Sequence, residues 1–410
     1  MKYGLIGERL GHSFSKIIHQ MLSDNEYELL EIERDNLRDF MLSKSFLGIN
    51  VTIPYKEAVI PYLDYIDEAA KEIGAVNTVV NRDGKLFGYN TDFYGMRELI
   101  LHAKIEVTGK KTAILGSGGT SRTAAAVLRS LGAREIIRVG RVAKEDVIDY
   151  GELYEKHGDV QIIINTTPLG TYPNVRGCAV DVLRFTSLEG VVDAVYNPLR
   201  SELVLNAKDA GIKAEGGLYM LVAQAVKASE IFLGKEYPLG VTDKIYEQIK
   251  RQKESIVLIG MPGCGKSTVS KILEKKTGRK LVDTDELIVE RCKMEIKDFF
   301  ARHGEDEFRR IESEVIEEIS ALGELIIATG GGAILREENV KNLKRNGRIF
   351  FIDRPLECLV PTESRPLSSD RAAIEKRYEE RYGIYSSVCD VKTKADCDAM
   401  TVAEKILENF

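Results

Sequence analysis

The stretch Gly260-Met261-Pro262-Gly263-Cys264-Gly265-Lys266-Ser267-Thr268 constrains the fold more than any other. It matches G-x-x-x-x-G-K-[ST] throughout. The apolar run Ile256–Ile259 precedes it, and a helical pattern follows. Such a loop between strand and helix turns its backbone N–H groups inward and cradles phosphate oxygens. Gly260, Gly263, Cys264, Gly265, Lys266, Ser267 and Thr268 are the expected nucleotide-contacting residues. Lys266 reaches the β- and γ-phosphates, and Ser267 holds Mg2+. Cys264 sits at a variable position and is read as packing or solvent-facing, with no catalytic role.

A second glycine loop, Gly116-Ser117-Gly118-Gly119-Thr120, follows the apolar strand Thr112–Leu115 and opens a helix from about Ser121. Glycines permit a tight turn and close approach to a pyrophosphate, which the helix N-terminus then receives. In that context the loop reads as a dinucleotide site. The next strand, Ile136–Val139, ends in Gly140-Arg141 with no acid at its tip. An acid there would take a ribose 2′-hydroxyl, whereas a guanidinium suits a 2′-phosphate. NADP is therefore expected, with Arg141 on its phosphate.

Around these loops the pattern alternates strand and helix, which favours parallel sheets covered by helices. A helix capped by Asp92 is expected to run to about His102, and 233–254 reads as a linker region containing a polar helix. The 410 residues suggest two or three domains. Residues 253–410 hold 27 basic and 30 acidic residues and the rest 31 and 34, so neither part is a basic module or a charged tail. No nucleic-acid partner is expected. No apolar run approaches the length of a membrane span, and the start reads straight into a strand. The six cysteines are scattered without a C-x-x-C pair, so a cytoplasmic, thiol-reduced chain is expected.

Three polar segments lie before the dinucleotide loop. They are Gly11-His12-Ser13-Phe14-Ser15, Asn50 to Lys56, and Ala75-Val76-Asn77-Thr78 followed by Asn90-Thr91-Asp92. Singly, each is an ordinary loop. Together they gather hydroxyls, amides, one lysine and one aspartate at strand ends, the set that a polyhydroxylated acid needs.

With these motifs in order, residues 1 to about 250 resemble shikimate dehydrogenase. The resemblance implies that Ser13 and Ser15 bind the substrate carboxylate. It makes Lys56 the catalytic acid/base, paired with Asp92, and Thr52, Asn77 and Gln224 further substrate contacts. Asn165-Thr166-Thr167-Pro168 and Tyr196-Asn197-Pro198 resemble the loops that flank the nicotinamide. One departure is Gly140-Arg141-Val142, where the family usually has Asn-Arg-Thr, which implies weaker selection of NADP over NAD.

In the remainder, Asp283-Thr284-Asp285 follows the strand Lys280–Val282, and alternation is expected to aim both carboxylates the same way. Arg309 lies in a charged helix, Gly330-Gly331-Gly332 follows the strand Leu325–Ala328, and Arg381 precedes Tyr382. With the phosphate loop, this set resembles shikimate kinase from about 255 to 410. The resemblance implies that Asp283 helps hold Mg2+ and that Asp285 is the base at the substrate hydroxyl. Arg309 and Arg381 would clamp the carboxylate, Gly331 and Gly332 line the substrate, and Arg365 reach the ATP phosphates from a lid.

The expected fold class is α/β throughout. A shikimate-binding domain (1–102), completed by returning helices and a linker (220–252), surrounds a Rossmann NADP domain (103–219). A P-loop domain like the nucleoside-monophosphate kinases (253–410) follows. The expected function is reduction of 3-dehydroshikimate to shikimate, then its phosphorylation at the 3-hydroxyl with Mg·ATP. The rivals are a quinate/shikimate dehydrogenase fused to another small-molecule kinase, and a non-catalytic ligand sensor. A homodimer is compatible with the sequence.

Overall fold

Most strands of the computed structural model are apolar on both faces, as strands are in sheets covered by helices on both sides. The structure describes residues 2–10, 14–359 and 371–410. Among them the strands form three sheets, in two compact units.

The first unit spans 1–197 and 201–249. Its first sheet contains β1 (Tyr3–Gly7), β2 (Tyr27–Glu31), β3 (Gly48–Val51), β4 (Tyr65–Ile66), β5 (Thr78–Arg82) and β6 (Lys85–Tyr89), in the order β2-β1-β3-β5-β6-β4. β5 runs antiparallel to both β3 and β6, and the other pairs are parallel. The turn Asp83-Gly84 joins β5 to β6 with both residues at positive φ, as a two-residue hairpin requires.

The second sheet is wholly parallel: β7 (Lys111–Leu115), β8 (Glu135–Val139), β9 (Ile162–Asn165), β10 (Gly190–Asp193) and β11 (Lys213–Glu215), in the order β11-β10-β9-β7-β8. β7, β9 and β10 are buried along their whole length. β7 lies between β9 and β8, where strand order reverses, so the glycine loop after β7 opens on the crevice where doubly wound sheets bind ligands.

The helix Leu218–Leu233 returns to the first sheet. A Cβ at Gly48 on β3 would lie 2.4 Å from the Phe232 ring, so this contact depends on glycine. The segment read as a linker holds the helix Val241–Lys253, which buries Ile245, Tyr246 and Ile249. This spacing puts them on one face, and through Ile249 the segment packs with the first unit.

The second unit comprises 198–200 and 250–410. Its parallel sheet contains β12 (Ser255–Ile259), β13 (Lys280–Asp283), β14 (Leu325–Ala328), β15 (Gly347–Asp353) and β16 (Val391–Lys394), in the order β13-β14-β12-β15-β16. β12 is fully buried between β14 and β15. Its loop therefore also leaves from a reversal point.

Candidate active sites

Register explains why separated segments meet in the first unit. Asn50 on β3 pairs with Thr78 on β5, which pairs with Tyr89 on β6. The C-terminal ends of β1, β3 and β6 and the start of β5 thus share one sheet edge. The chain leaving that edge carries Ser15, then Thr52 and Lys56, then Asn77, then Asp92. Helix Leu218–Leu233 adds Gln224. It approaches helix Thr91–His102 at Gly95, where a Cβ would lie 2.6 Å from the Met220 carbonyl oxygen.

The result is a cavity of about 360 Å3. Ser15, Thr52, Lys56, Asn77, Asp92, Thr120, Tyr196 and Gln224, all singled out from the sequence, line it. Ser13 lies outside the described residues. Lys56 Nζ donates to Asp92 Oδ2 at 2.6 Å, with both side chains largely buried. Such a charge-assisted bond fixes the ammonium at the cavity wall.

Asp92 is not the helix cap that the sequence reading made it. Asn90 takes that place, accepting from Phe93 N at 3.2 Å and donating to Ala75 O at 2.9 Å. Asp92 falls in the first helical turn, where its carboxylate reaches Lys56.

Two residues that the motifs did not single out organise the wall. Thr91 N donates to Asn77 Oδ1 at 2.7 Å, and the Thr91 hydroxyl lies 3.2 Å from the same oxygen and 3.4 Å from Gln224 Oε1. A backbone donor can only face the amide oxygen, so the Asn77 amide orientation is set and its NH2 is left for a ligand. Asn50 also lines the cavity, held by Tyr27 Oη at 2.8 Å and Thr78 Oγ1 at 3.0 Å.

The dinucleotide loop has the geometry that its glycines imply. Gly116 sits at φ +113°, and a Cβ there would lie 2.6 Å from Thr166 Oγ1. Above Gly118 and Gly119 the space is open. The helix Gly119–Ser130 starts without a side-chain cap, so its first N–H groups face that space. Ser117 packs beside Gly140, and Arg141 is exposed just past β8.

Behind this crevice lies a buried carboxylate that the sequence reading passed over. Asp193, at the end of β10, accepts from Ser201 Oγ (2.5 Å), Asn165 Nδ2 (2.9 Å) and Val195 N (3.0 Å). Burial still pushes its pKa up to about 6. Asn165 Oδ1 in turn takes both donors of Thr167. One carboxylate therefore ties the Asn165–Thr167 loop to the Ala194–Tyr196 turn, whose ends line the cavity. Tyr196 packs edge-on against Phe14 at 5.7 Å.

In the second unit a cavity of about 590 Å3 is lined by Ser267, Asp283, Asp285, Arg309, Gly331, Gly332 and Arg381, all singled out from the sequence. The two aspartates do not get there by strand alternation. Asp283 ends β13 and caps the helix Thr284–Cys292, accepting from Asp285 N at 2.9 Å, and Asp285 already lies in that helix. The cap bond, not the pleat, brings them together.

The triple glycine lets the loop lie close against the charged groups of the cavity. A Cβ at Gly330 would lie 2.5 Å from Asp285 Oδ1, and one at Gly332 would lie 2.3 Å from the Arg309 guanidinium. Arg381 Nη1 donates to Gly331 O at 3.1 Å. Arg309 follows the helix break at Gly304 (φ +82°) and donates to Glu312 at 2.6 Å and to Glu305 at 3.1 Å. Glu312 is buried, and burial raises its pKa against the pull of Arg309. Its second oxygen has no partner and lies 3.1 Å from where a Gly330 Cβ would be.

The phosphate loop keeps the left-handed glycines of its motif, Gly260, Gly263 and Gly265. Lys266 is buried and donates back to Gly260 O (2.7 Å) and Met261 O (3.1 Å). Cys264 is packed in the core, settling its reading against solvent. Thr268 lies on the first turn of helix Lys266–Thr277. Arg365 lies outside the described residues.

The first cavity can exchange a proton at a fixed ammonium beside an open dinucleotide loop. The second joins carboxylates to a phosphate loop and guanidiniums, the elements of phosphoryl transfer.

The comparisons agree with both. Residues 5–79 match the family model described as the shikimate dehydrogenase substrate binding domain, and residues 262–410 match the model described as shikimate kinase. A shikimate dehydrogenase (NADP(+)) of Clostridium perfringens is 41% identical over 267 residues, covering 60% of this chain and 98% of that protein. The crystal structure of a chorismate mutase/shikimate 5-dehydrogenase fusion protein from Clostridium acetobutylicum is similar at TM-score 0.58 and 34% identity, covering 61% and 97% of the two chains. That of Thermus thermophilus shikimate 5-dehydrogenase in complex with NADP(H) and shikimate reaches TM-score 0.55 at 27% identity, covering 60% and 99%.

The chain belongs to the shikimate dehydrogenase family, with a shikimate kinase domain following in the same polypeptide. It is a bifunctional enzyme of the shikimate pathway. Among the described residues no helix is long and apolar enough to cross a membrane.

Proposed function

We propose that the first unit reduces 3-dehydroshikimate reversibly to shikimate with NADPH, and that the second phosphorylates shikimate at its 3-hydroxyl with Mg·ATP, both in the cytoplasm. The observation that carries the first half is the Lys56–Asp92 bond inside a cavity of hydroxyls and amides. Lys56 gives its proton to the developing alkoxide and recovers it in reverse, and Asp92 holds the ammonium in place. Ser15 and Ser13 take the carboxylate, and Thr52, Asn77 and Gln224 the hydroxyls. The domain limits expected from the sequence go with this reading.

The open space over Gly118 and Gly119 fits a pyrophosphate, and the exposed Arg141 fits a 2′-phosphate. Bound there, NADPH supplies the hydride. Tyr196 and the Asn165–Thr167 loop flank its ring. Ser117 and Thr120 lie on the same path. The Thermus enzyme, solved with NADP(H) and shikimate, supports the pairing of ligands.

In the second unit, Asp285 takes the proton from the substrate hydroxyl while Arg309 and Arg381 hold the carboxylate along Gly331 and Gly332. Ser267 and Asp283 line the same cavity and fit a hard cation that neutralises phosphate charge. Lys266 and Arg365 serve the nucleotide phosphates.

The test supplies 3-dehydroshikimate and NADPH, then Mg·ATP, and follows NADPH oxidation and ADP formation separately. Oxidation without subsequent shikimate-dependent ADP would replace the kinase half with a different small-molecule kinase. Neither signal would leave a ligand sensor.

A further inference from the structure

The dehydrogenase cavity carries one cation with no part in the proton or hydride step. Arg9 lines it, on the loop between β1 and the helix Ser15–Leu22, the same connection that brings Ser15 to the wall. Arg9 is exposed, so it stands where the cavity meets solvent.

The chain on either side of Arg9 is anchored. Glu8 pairs with Arg34 at 3.2 Å, and Leu10 N donates to Glu31 Oε1 at 2.8 Å. A Cβ at Gly7 would lie 2.7 Å from both Leu10 Cδ2 and Thr52 Cγ2, so the close approach of this loop to Thr52 depends on glycine. The same contacts engage the neighbouring acids, Glu8 with Arg34 and Glu31 with the Leu10 amide. Among the described residues the Arg9 side chain has no ion pair or hydrogen bond.

The charges on the wall do not cancel. Besides Arg9, the charged lining residues among those described are Lys56 and Asp92, which neutralise each other through their 2.6 Å bond. The others are amides, hydroxyls and apolar side chains. One positive charge is left over, and Arg9 carries it. A neutral polyol gains nothing from that charge, whereas an acid with one carboxylate matches it. The reacting carbonyl must face Lys56, whose ammonium Asp92 already offsets. The carboxylate therefore gains most from the loop that carries Arg9 and Ser15. An exposed charge at the mouth of a cavity acts on an anion over a Debye length, about 8 Å at physiological ionic strength. Arg9 can thus draw the acid in and then hold it by a charge-assisted bond.

We propose that Arg9 is a specificity residue of the dehydrogenase, taking the substrate carboxylate beside Ser15 and selecting the acid over a neutral analogue with the same ring. This rests on the dehydrogenase reading above.

The experiment uses the full chain with Arg9→Gln and Arg9→Lys. It follows NADPH oxidation at saturating NADPH, with 3-dehydroshikimate and with its methyl ester, at low and high salt. At low salt KM for the acid should rise about fivefold in Arg9→Gln, with kcat within about twofold. The kcat/KM for the ester should stay unchanged, which also shows that the variant folded. The gap between parent and Arg9→Gln for the acid should narrow to about twofold near 1 M salt, where the Debye length is about 3 Å. A residue that merely shaped the loop would keep its effect in salt. Arg9→Lys retains the charge and should lie closer to the parent than Arg9→Gln does. Equal loss for acid and ester, no loss for either, a gap that salt leaves unchanged, or Arg9→Lys as poor as Arg9→Gln would each overturn the proposal. A parent chain that oxidises no NADPH with 3-dehydroshikimate overturns the dehydrogenase reading itself, and this inference with it.

Discussion

The two cavities are built to hold related molecules by different physical means. The first, about 360 Å3, is walled mainly by amides, hydroxyls and apolar side chains around the Lys56–Asp92 ion pair, with Arg9 as the one further charged group among the described residues. The second, about 590 Å3, is walled by guanidiniums and carboxylates. Hydride transfer moves no net charge through the wall except one proton, so neutral donors and acceptors suffice, with one fixed ammonium. Phosphoryl transfer gathers several negative charges, and only cations offset them. The difference also shows in how each wall is held. The neutral wall is pinned by short bonds through Thr91, and the charged one by ion pairs with a buried glutamate.

The largest effects should come from the proton-handling groups. Lys56→Ala should lower dehydrogenase kcat by roughly 10^2 to 10^4 and leave the kinase unchanged. Asp285→Asn should lower the kinase by a similar factor and spare the dehydrogenase. Separate assays of NADPH oxidation and ADP formation decide it, and either variant silencing both reactions would end the idea of independent sites.

Arg309→Met tests the charged wall. It leaves Glu312 buried beside Asp285 without its cation. The second unit should lose about 3–5 kcal/mol, as for breaking a buried ion pair, seen as an earlier urea transition of that unit. Restoring part of it with Arg309→Met/Glu312→Gln would identify the stranded carboxylate as the cause.

Acid stability of the first unit provides a third test. Asp193 titrates at about 6 in the fold against an ordinary 3.8, so the folded state binds the extra proton between those values. Its contribution therefore falls as pH rises from about 4 to about 6. His19, buried between Tyr27 and Phe232, is lowered from 6.5 to about 4. There the unfolded state binds the extra proton, and stability rises with pH over nearly the same window. Each amounts to about 3 kcal/mol, so they nearly cancel. Asp193→Asn should expose the histidine and make the unit lose about that much on acidification from pH 6.5 to 4. His19→Phe should reverse the slope. Urea midpoints at a series of pH values would show it, and parallel curves for both variants would refute the cancellation.

The smallest effect is expected at Thr91→Val, which keeps the backbone bond to Asn77 and removes the hydroxyl. Dehydrogenase kcat/KM should fall about fivefold, for a bond of about 1 kcal/mol. No loss would mean that the backbone bond alone orients Asn77.

The extent to which these sites were legible depends on whether their chemistry is local. The two glycine loops each complete their geometry within a few residues, between one strand and the helix that follows, so spacing alone reveals them. Lys56, Asp92, Asn77 and Gln224 lie far apart, and a family resemblance, not spacing, joined them. The register Asn50–Thr78–Tyr89 supplies the physical reason that they meet. Asp92 was misplaced as a cap because Asn90 and Asp92 are equally good capping types, and only the bond to Phe93 N separates them.

By itself the sequence determined the class of sheet, the two phosphate-binding loops, the order of the two enzymes and most of the polar groups that chemistry needs. The tertiary structure alone decided which of the many arginines and acids share a wall. Glu312 and Asp193 sit in segments where charged side chains are unremarkable, and their meaning comes from burial and from the partners that packing gives them. Charge is visible in a sequence, but desolvation, which gives a charge its energetic weight, exists only once the chain is packed.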